Sequence, residues 1–383
     1  MNILIISQLE LISQTGVKTY YVSLRDEYTK NGHFVTIVTP KSSPIIIKLI
    51  LKVFRKLSLT FFHSDYNKLF NVEAFYFISI YFAVRRVKKK KSWDIIHAQE
   101  PSSSCAAKFA VNAKVPVVTT CHYNDNPISE RRLMYNLTAD QLVKVEKWFQ
   151  FLFRNNHNYI FVSNYVYENS KHLLAESNCK RFIPYGVTFP ELLPQKLTSH
   201  PFIISNVGTL EERKNQILLI NAAEFLKQQN FNFKIWFLGK GPKRCEWEKI
   251  VEEKGLSDDV IFWGFQKERL EIINKSHIYV HTAINDNSPL SISEAFSIGL
   301  PVLALDTGGI SEKFPQTQVG VLPADITPQR LAEILISYSN EELREKVKCE
   351  QFNNAKRFDI TNMADQTISF YKTLIKNNSL KVN

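Results

Sequence analysis

Apolar positions in this 383-residue chain come in short continuous runs separated by longer stretches of helical spacing. The first run, residues 2–7 (NILIIS), is apolar almost throughout, as a strand covered on both faces must be. Val17, Tyr20, Tyr21, Leu24 and Tyr28 then recur three and four residues apart, the inward face of a helix over 17–30 that Gly32-His33 ends. A second run at 34–39 completes a strand–helix–strand unit, the repeat of a parallel sheet. The alternation resumes with strand 94–97, helix 102–112, strand 116–120, helix 138–153 and strand 159–162, after which Ser163 is placed to cap another helix. Runs at 202–207, 233–238, 260–263, 277–281 and 302–305 repeat the rhythm, with helices between them, one opening at Thr327 and a last one over 361–376. Two halves of one rhythm, without close internal repeat, predict an α/β protein of two Rossmann-like domains with parallel sheets. Pro190, Pro194, Ser199 and Pro201 mark the linker between them. The length agrees with two domains rather than one.

One segment breaks the rhythm. Residues 41–92 hold twelve of the Lys and Arg against only Asp65 and Glu73, nearly the whole of the +11 formal charge. Within it, 44–57 (PIIIKLILKVFRKL) places Lys48, Lys52, Arg55 and Lys56 on one stripe of a helix otherwise covered by Ile, Leu, Val and Phe. Residues 74–84 are aromatic and apolar and run straight into RRVKKKK. These are the features of helices lying in an anionic membrane interface; the alternative is that both belong to the core of the first domain and their lysines are solvated. Nucleic acid is disfavoured as a partner, because the helices are too apolar and no nucleic-acid motif accompanies them. No uncharged apolar stretch approaches the roughly 18–20 residues of a spanning helix. The opening MNILIIS does not read as a signal peptide, and five scattered cysteines suit reduced thiols with no structural zinc, so a cytoplasmic location is expected.

The chemistry concentrates in 285–312, NDNSPLSISEAFSIGLPVLALDTGGISE. Asn287 and Ser288 are N-cap types and Pro289 suits a first helical position, so a helix is expected to run from there to Gly299, with Pro301 beyond. Its N-terminus, with Leu290 and Ser291, would offer unpaired N–H groups to an anion such as a diphosphate. Asp286 precedes the helix and Glu294 lies inside it among apolar neighbours, where a carboxylate needs an ion-pair partner or a ligand. Near the start of the second half, VGTLEERKNQ puts Gly208 where backbone can approach and Lys214 near a helix start; a solvated surface lysine is the other reading. His97 reads as structural, while His122 is either a core or loop histidine or a site group. The first βα turn, SQLELISQTG, lacks the G-x-G-x-x-G of a dinucleotide site, which disfavours a nicotinamide enzyme.

Together these motifs resemble glycosyltransferase family 4, retaining nucleotide-sugar enzymes of the GT-B fold. In that family two glutamates separated by seven residues precede a Gly-x-Pro-Val segment and a Gly-Gly-x-x-Glu loop. Here Glu294, Gly299 to Val302 and Gly308 to Glu312 match, and Asp286 stands where the first glutamate is usual. HAQEPSSSCAA and VPVVTTCHYND also resemble the family, as do Gly16 and Gly32-His33, although Thr15 takes the place of one glycine. Lys214 is kept, Thr209 replaces a usual Arg, and Arg213 is a possible substitute.

The resemblance implies two facing domains, an acceptor-side domain over 1–186 that includes the 41–92 segment and a nucleotide-sugar domain over 187–360. The helix and tail of 361–383 would cross back to the first. It assigns donor binding to Gly16, Gly208, Lys214, Gly264, Phe265, Leu290, Ser291 and Glu294, with Asp286, His122 and Lys214 catalytic. Glu294 would hold the ribose and Asp286 the sugar. No Asp-x-Asp occurs, so no metal and no cofactor beyond the nucleotide-sugar substrate is expected. The implied reaction is metal-independent, retaining hexosyl transfer to a glycan or lipid-linked acceptor in cell-surface polysaccharide synthesis, on the inner face of the cytoplasmic membrane. A nucleotide-sugar epimerase of related fold and a non-catalytic nucleotide-sugar binder or membrane scaffold are the rival readings.

Overall fold

A computed structural model describes the chain except residues 62, 90, 112–114, 191–200 and 381–383. The linker residues Pro194 and Ser199, Lys90 of the basic segment and Asn112 of the expected helix therefore lie outside the described residues. The chain divides into two units, Met1–Tyr185 with Ile360–Asn383, and Gly186–Asp359.

The first unit is a six-stranded parallel sheet of β1 (Asn2–Ile6), β2 (Phe34–Val38), β3 (Ile95–Ala98), β4 (Val117–Cys121), β5 (Asn158–Phe161) and β6 (Cys179–Phe182), in the order β2-β1-β3-β4-β5-β6. Helices cover both faces, which is why Ile3 to Ile6 have no exposed surface at all. The final helix, Ile360–Leu380, packs on the helix Gly16–Lys30 of this unit. There the Tyr371 hydroxyl lies 2.6 Å from His97 Nδ1 and accepts from Tyr28 at 3.4 Å. His97 is fully buried, its other nitrogen 2.6 Å from Thr120 Oγ1, so its work is structural.

The second unit repeats the plan with β7 (Phe202–Val207), β8 (Phe233–Leu238), β9 (Val260–Gly264), β10 (Ile278–His281), β11 (Val302–Leu305) and β12 (Val321–Leu322), ordered β12-β11-β10-β7-β8-β9. All pairings are parallel. From β7 the chain winds one way to β8 and β9, and from β10 the other way to β11 and β12. The seam between β7 and β10 is thus a topological switch point, where the loops after the two strands part and leave a crevice.

Three expectations need correction. The edge strands β6 and β12 were not anticipated: β6 reads CKRF, largely exposed, and β12 has only two residues, so neither carries an apolar run. The helix of the 285–312 stretch begins at Leu290, with Pro289 rather than Asn287 or Ser288 at its N-cap, because Pro289 still has extended ψ of 122°. In the basic segment the two helices run Ile45–Phe61 and Asp65–Lys88, and they differ in kind. The first buries only Leu51, while the second buries Leu69, Ile80, Ala83 and Val84 in the core. The second runs 24 residues, yet among the described residues no helix is long and apolar enough to cross a membrane.

Candidate active site

The switch point of the second sheet gathers charge. Gly208 directly follows β7, and a short 3-10 turn, Glu212–Lys214, brings Lys214 around before the helix Gln216–Gln228 starts. That turn is pinned to the loop after β10: Ile284 N–H donates to Arg213 O at 3.0 Å, and Thr282 Oγ1 donates to Lys214 O at 2.8 Å. Asp286 hangs from the same loop, 7% exposed, and its Oδ2 receives the Lys214 ammonium. His281 Nε2 lies 3.3 Å from that oxygen, Asn287 N–H donates to Oδ1 at 3.1 Å, and Arg213 Nη1 stands 3.9 Å from Oδ1. Burial would raise the Asp286 pKa, but Lys214, the His281 hydrogen bond and Arg213 outweigh it and hold the carboxyl well below the usual range. His281 is pushed down by its own burial, against the pull of Asp286.

The loop 306–309 closes over Asp286 because its last two residues, Gly308 and Gly309, have no side chains to obstruct it. Gly308 sits at φ +59°, and a Cβ there would lie 2.2 Å from Asp286 O; one on Gly309 would lie 2.3 Å from Asn287 O. Gly309 N–H then donates to Asp286 O at 3.0 Å. No side chain caps the helix Leu290–Ser297, so the donors of its first turn face the loop that carries Asp286. Ser291 Oγ accepts from the Tyr279 hydroxyl at 2.9 Å, and that hydroxyl is also 3.2 Å from His281 Nδ1, which links the helix start to the charged pair. Asn285 Oδ1 is buried here with no hydrogen-bond partner among the described residues.

One turn into the helix, Glu294 is 7% exposed and both its oxygens are taken by Arg269, with Nε donating to Oε2 at 2.8 Å. The ion pair weighed as one reading of this carboxylate is therefore present, with Arg269 as its partner. Gly264 ends β9, at φ +69°, and its carbonyl accepts from Gly239 N–H at 2.8 Å; Phe265 beside it is exposed. Behind the helix lies a cation that the motifs do not announce. Lys313 is buried, donates to Ser293 Oγ at 2.8 Å and has its pKa lowered to about 7 by burial.

The remaining candidates belong to the other unit. Gly16 is the first residue of the helix Gly16–Lys30, which Thr15 Oγ1 caps by accepting from Lys18 N–H at 3.3 Å. His122 follows β4 with Nδ1 2.5 Å from the Tyr185 hydroxyl and Nε2 2.9 Å from Gln99 Oε1. Burial, with His97 nearby, lowers its pKa to about 3, so it is neutral at physiological pH. Sequence reasoning missed His281, Arg269, Lys313 and the Tyr185–His122 contact. Only His281 left a signal, as the last residue of a strand that opens onto the site.

Comparison with known proteins shows the family. Residues 14–188 match the profile described as Glycosyltransferase Family 4, and residues 191–357 match that described as Glycosyl transferases group 1. A subunit of the phosphatidylinositol N-acetylglucosaminyltransferase of Schizosaccharomyces pombe is 22% identical across 96% of this chain and 79% of its own. The amylovoran biosynthesis glycosyltransferase AmsK of Erwinia amylovora is 28% identical over 37% of each chain. The Anabaena protein HepE, solved in complex with UDP-glucose, superposes with a TM-score of 0.68 at 16% identity, over 97% of this chain and 100% of the other. The chain belongs to glycosyltransferase family 4 and is a glycosyltransferase of the GT-B fold.

Proposed function

We propose that the chain transfers a sugar from a nucleotide-diphosphate donor to a lipid-linked or glycan acceptor, with retention of anomeric configuration and without a metal ion. The observation that carries this reading is the Lys214–Asp286 pair beside the uncapped start of the helix Leu290–Ser297, at a switch point. In the structure the ammonium neutralises Asp286. With donor bound, the same ammonium and the N–H groups of Leu290 and Ser291 meet the diphosphate, and Asp286 is released to accept from a sugar hydroxyl. Charge developing on the departing phosphate is then stabilised by groups already in position, commonly the largest single catalytic term. The acceptor hydroxyl attacks C1 on the face the diphosphate leaves; the C1–O acceptor bond forms, the C1–O phosphate bond breaks, and the hydroxyl proton passes to the leaving phosphate.

Glu294, opening from Arg269, is assigned to the ribose, and the backbone at Gly264 and Phe265 to the base. From the first unit the reading takes Gly16 and His122, the latter as a neutral hydrogen-bonding group rather than an acid. The donor class is supported by the likeness to HepE, and a lipid-linked or polysaccharide acceptor by the names of the two relatives. An anionic membrane on the cytoplasmic side is proposed as the place of reaction. Along the helix Ile45–Phe61, Ile45, Ile46, Leu49, Ile50, Val53, Phe54, Leu57 and Phe61 are all exposed, beside Lys48, Lys52, Arg55 and Lys56. A helix of that composition binds by burial of its apolar face plus attraction of its cations to anionic lipid.

The test is to incubate the protein with UDP-glucose and other nucleotide sugars, with and without vesicle-borne acceptors, and to determine the product linkage by NMR. Acceptor-dependent nucleotide release with a retained linkage is expected. An inverted linkage would end the retaining reading, and an altered sugar formed from donor alone would indicate an epimerase. Donor binding that no acceptor turns into release would leave a binder.

A further inference from the structure

A second site lies in the first unit, in residues to which the mechanism above gives no work. The helices Asp65–Lys88, Pro101–Ala110 and Ala139–Asn155 leave an apolar groove on their outer side. Its two adjoining cavities, of about 270 and 420 Å³, share Phe77, Ile78 and Trp148 as a common wall. Aromatic rings continue along it: Phe77 meets Trp148 at 5.9 Å between centroids, Trp148 stacks on Phe151 at 5.6 Å, and Phe151 on Phe109 at 6.4 Å. Phe109 and Phe151 remain substantially exposed at 52% and 41%, and Phe70 stands at the other end at 56%. A surface of this length left open to water costs free energy unless something apolar covers it.

The groove floor is electrically quiet. Glu73 faces it, but the Arg131 guanidinium pairs with that carboxylate at 2.9 Å and Trp148 Nε1 donates to it at 3.4 Å. Its wall includes one outlying cation, Lys144, whose ammonium lies 5.8 Å from the Tyr66 ring. Along the other side of the helix Asp65–Lys88 packs the helix Ile45–Phe61, held by Asn71 Nδ2 donating to Ser58 Oγ at 2.8 Å. The exposed apolar and cationic face described above therefore belongs to a neighbouring helix, across Asp65–Lys88 from the groove. A carbon-lined slot with a cation at its wall is complementary to a hydrocarbon chain ending in a phosphate.

We propose that this groove holds the hydrocarbon tail of a lipid-phosphate acceptor, with Lys144 at its headgroup end. The inference rests on the proposed lipid-linked acceptor and specifies where its tail lies. A chain drawn partly from the bilayer into protein would fix the depth and direction from which the acceptor's hydroxyl is presented.

The test needs neither donor nor transfer. Butyl, octyl and dodecyl phosphate, each below its micelle threshold, are titrated into the full chain, and Trp148 fluorescence is followed, with Trp148→Phe as the blank. Affinity is expected to rise by about fourfold per buried methylene until the slot is full. Ala74→Phe, which fills the cavity from a lining position, should weaken dodecyl phosphate at least tenfold and leave vesicle sedimentation unchanged. Lys52→Gln with Arg55→Gln should do the reverse. Binding that ignores tail length, or is unaffected by Ala74→Phe, overturns the proposal and leaves the membrane reading standing. Normal tail binding without vesicle sedimentation overturns the membrane reading alone. A chain that binds no alkyl phosphate but sediments as a dimer split by Ala74→Phe would give the groove to a second copy.

Discussion

The two sheets have the same strand count, the same parallel sense and a switch point apiece, yet the carboxyl edges at those points are chemically opposite. In the second unit the loops after β7 and β10 carry an ammonium, a guanidinium and a carboxylate and β10 ends in an imidazole, the three nitrogen groups all within hydrogen-bond or ion-pair reach of Asp286. In the first, the loops after β1 and β3 carry Glu100, bonded by Ser7 Oγ at 2.9 Å, Gln8 N–H at 3.0 Å and Ser103 Oγ at 2.7 Å, with no cation paired to it among the described residues. Burial outweighs those donors and lifts the Glu100 pKa to about 7, while His97 and His122 are both lowered to about 3. One edge holds charged groups paired with one another; the other holds a carboxyl and two imidazoles whose charged forms burial disfavours. Topology supplies a crevice in both cases, and only side chains decide what it can bind.

The largest expected effect is on the ionised edge. Asp286→Asn leaves Lys214 without its carboxylate, and removing one partner of a buried pair costs about 3–5 kcal/mol, to be read from denaturant midpoints. Turnover should fall severely in the same variant, while Asp286→Glu keeps partial activity; wild-type rates in the Asn protein would end the contrast. Lys214→Ala should follow, with kcat/KM lowered by about 2–4 kcal/mol if the ammonium acts in the transition state. An unchanged kcat/KM would remove it from the site.

The two edges should also answer pH with opposite signs. Asp286 is depressed in the folded state, so its stabilisation is present above its unfolded pKa of about 4 and is lost as pH falls below that. Glu100 is raised, so the folded state holds a proton that the unfolded chain has released, and stability declines as pH rises from about 4.5 to about 7. Glu100→Gln should flatten that upper limb by about 1–3 kcal/mol, whereas Asp286→Asn should flatten only the acid limb. Melting curves between pH 3 and 8 read both. The smallest predicted effect is none: EDTA should leave turnover unchanged, and loss restored by Mn²⁺ or Mg²⁺ would mean that Lys214 and the helix start do not carry the leaving group unaided.

Sequence carried much of this and stopped at definite points. Buried parallel strands such as Ile3 to Ile6 and Val302 to Leu305 announce themselves because both faces must be apolar, and the Gly-Gly loop because only glycine fits against Asp286 and Asn287. The edge strand Cys179–Phe182 does not, since an exposed edge tolerates Lys and Arg. Pairings across long separations were silent as well. Asp286 and Lys214 are 72 positions apart, and Glu294 and Arg269 are 25 apart, with nothing in local spacing to join them. The basic segment looked like two equal helices because hydropathy counts apolar residues without saying which of them a neighbour already covers.

The helix Ile360–Leu380 has a consequence for how the protein is made. It supplies the first unit with Tyr371, seated beside His97 and Tyr28, so that unit lacks a core element until this helix has been made. The second unit is complete in sequence by Asp359, before that helix has been synthesised. On the ribosome the order of maturation is therefore inverted: the part translated later can close first, while the part translated earlier waits for its last helix. A premature stop near residue 360 would fall on the amino-terminal half, leaving a sound second unit joined to an unfinished first one.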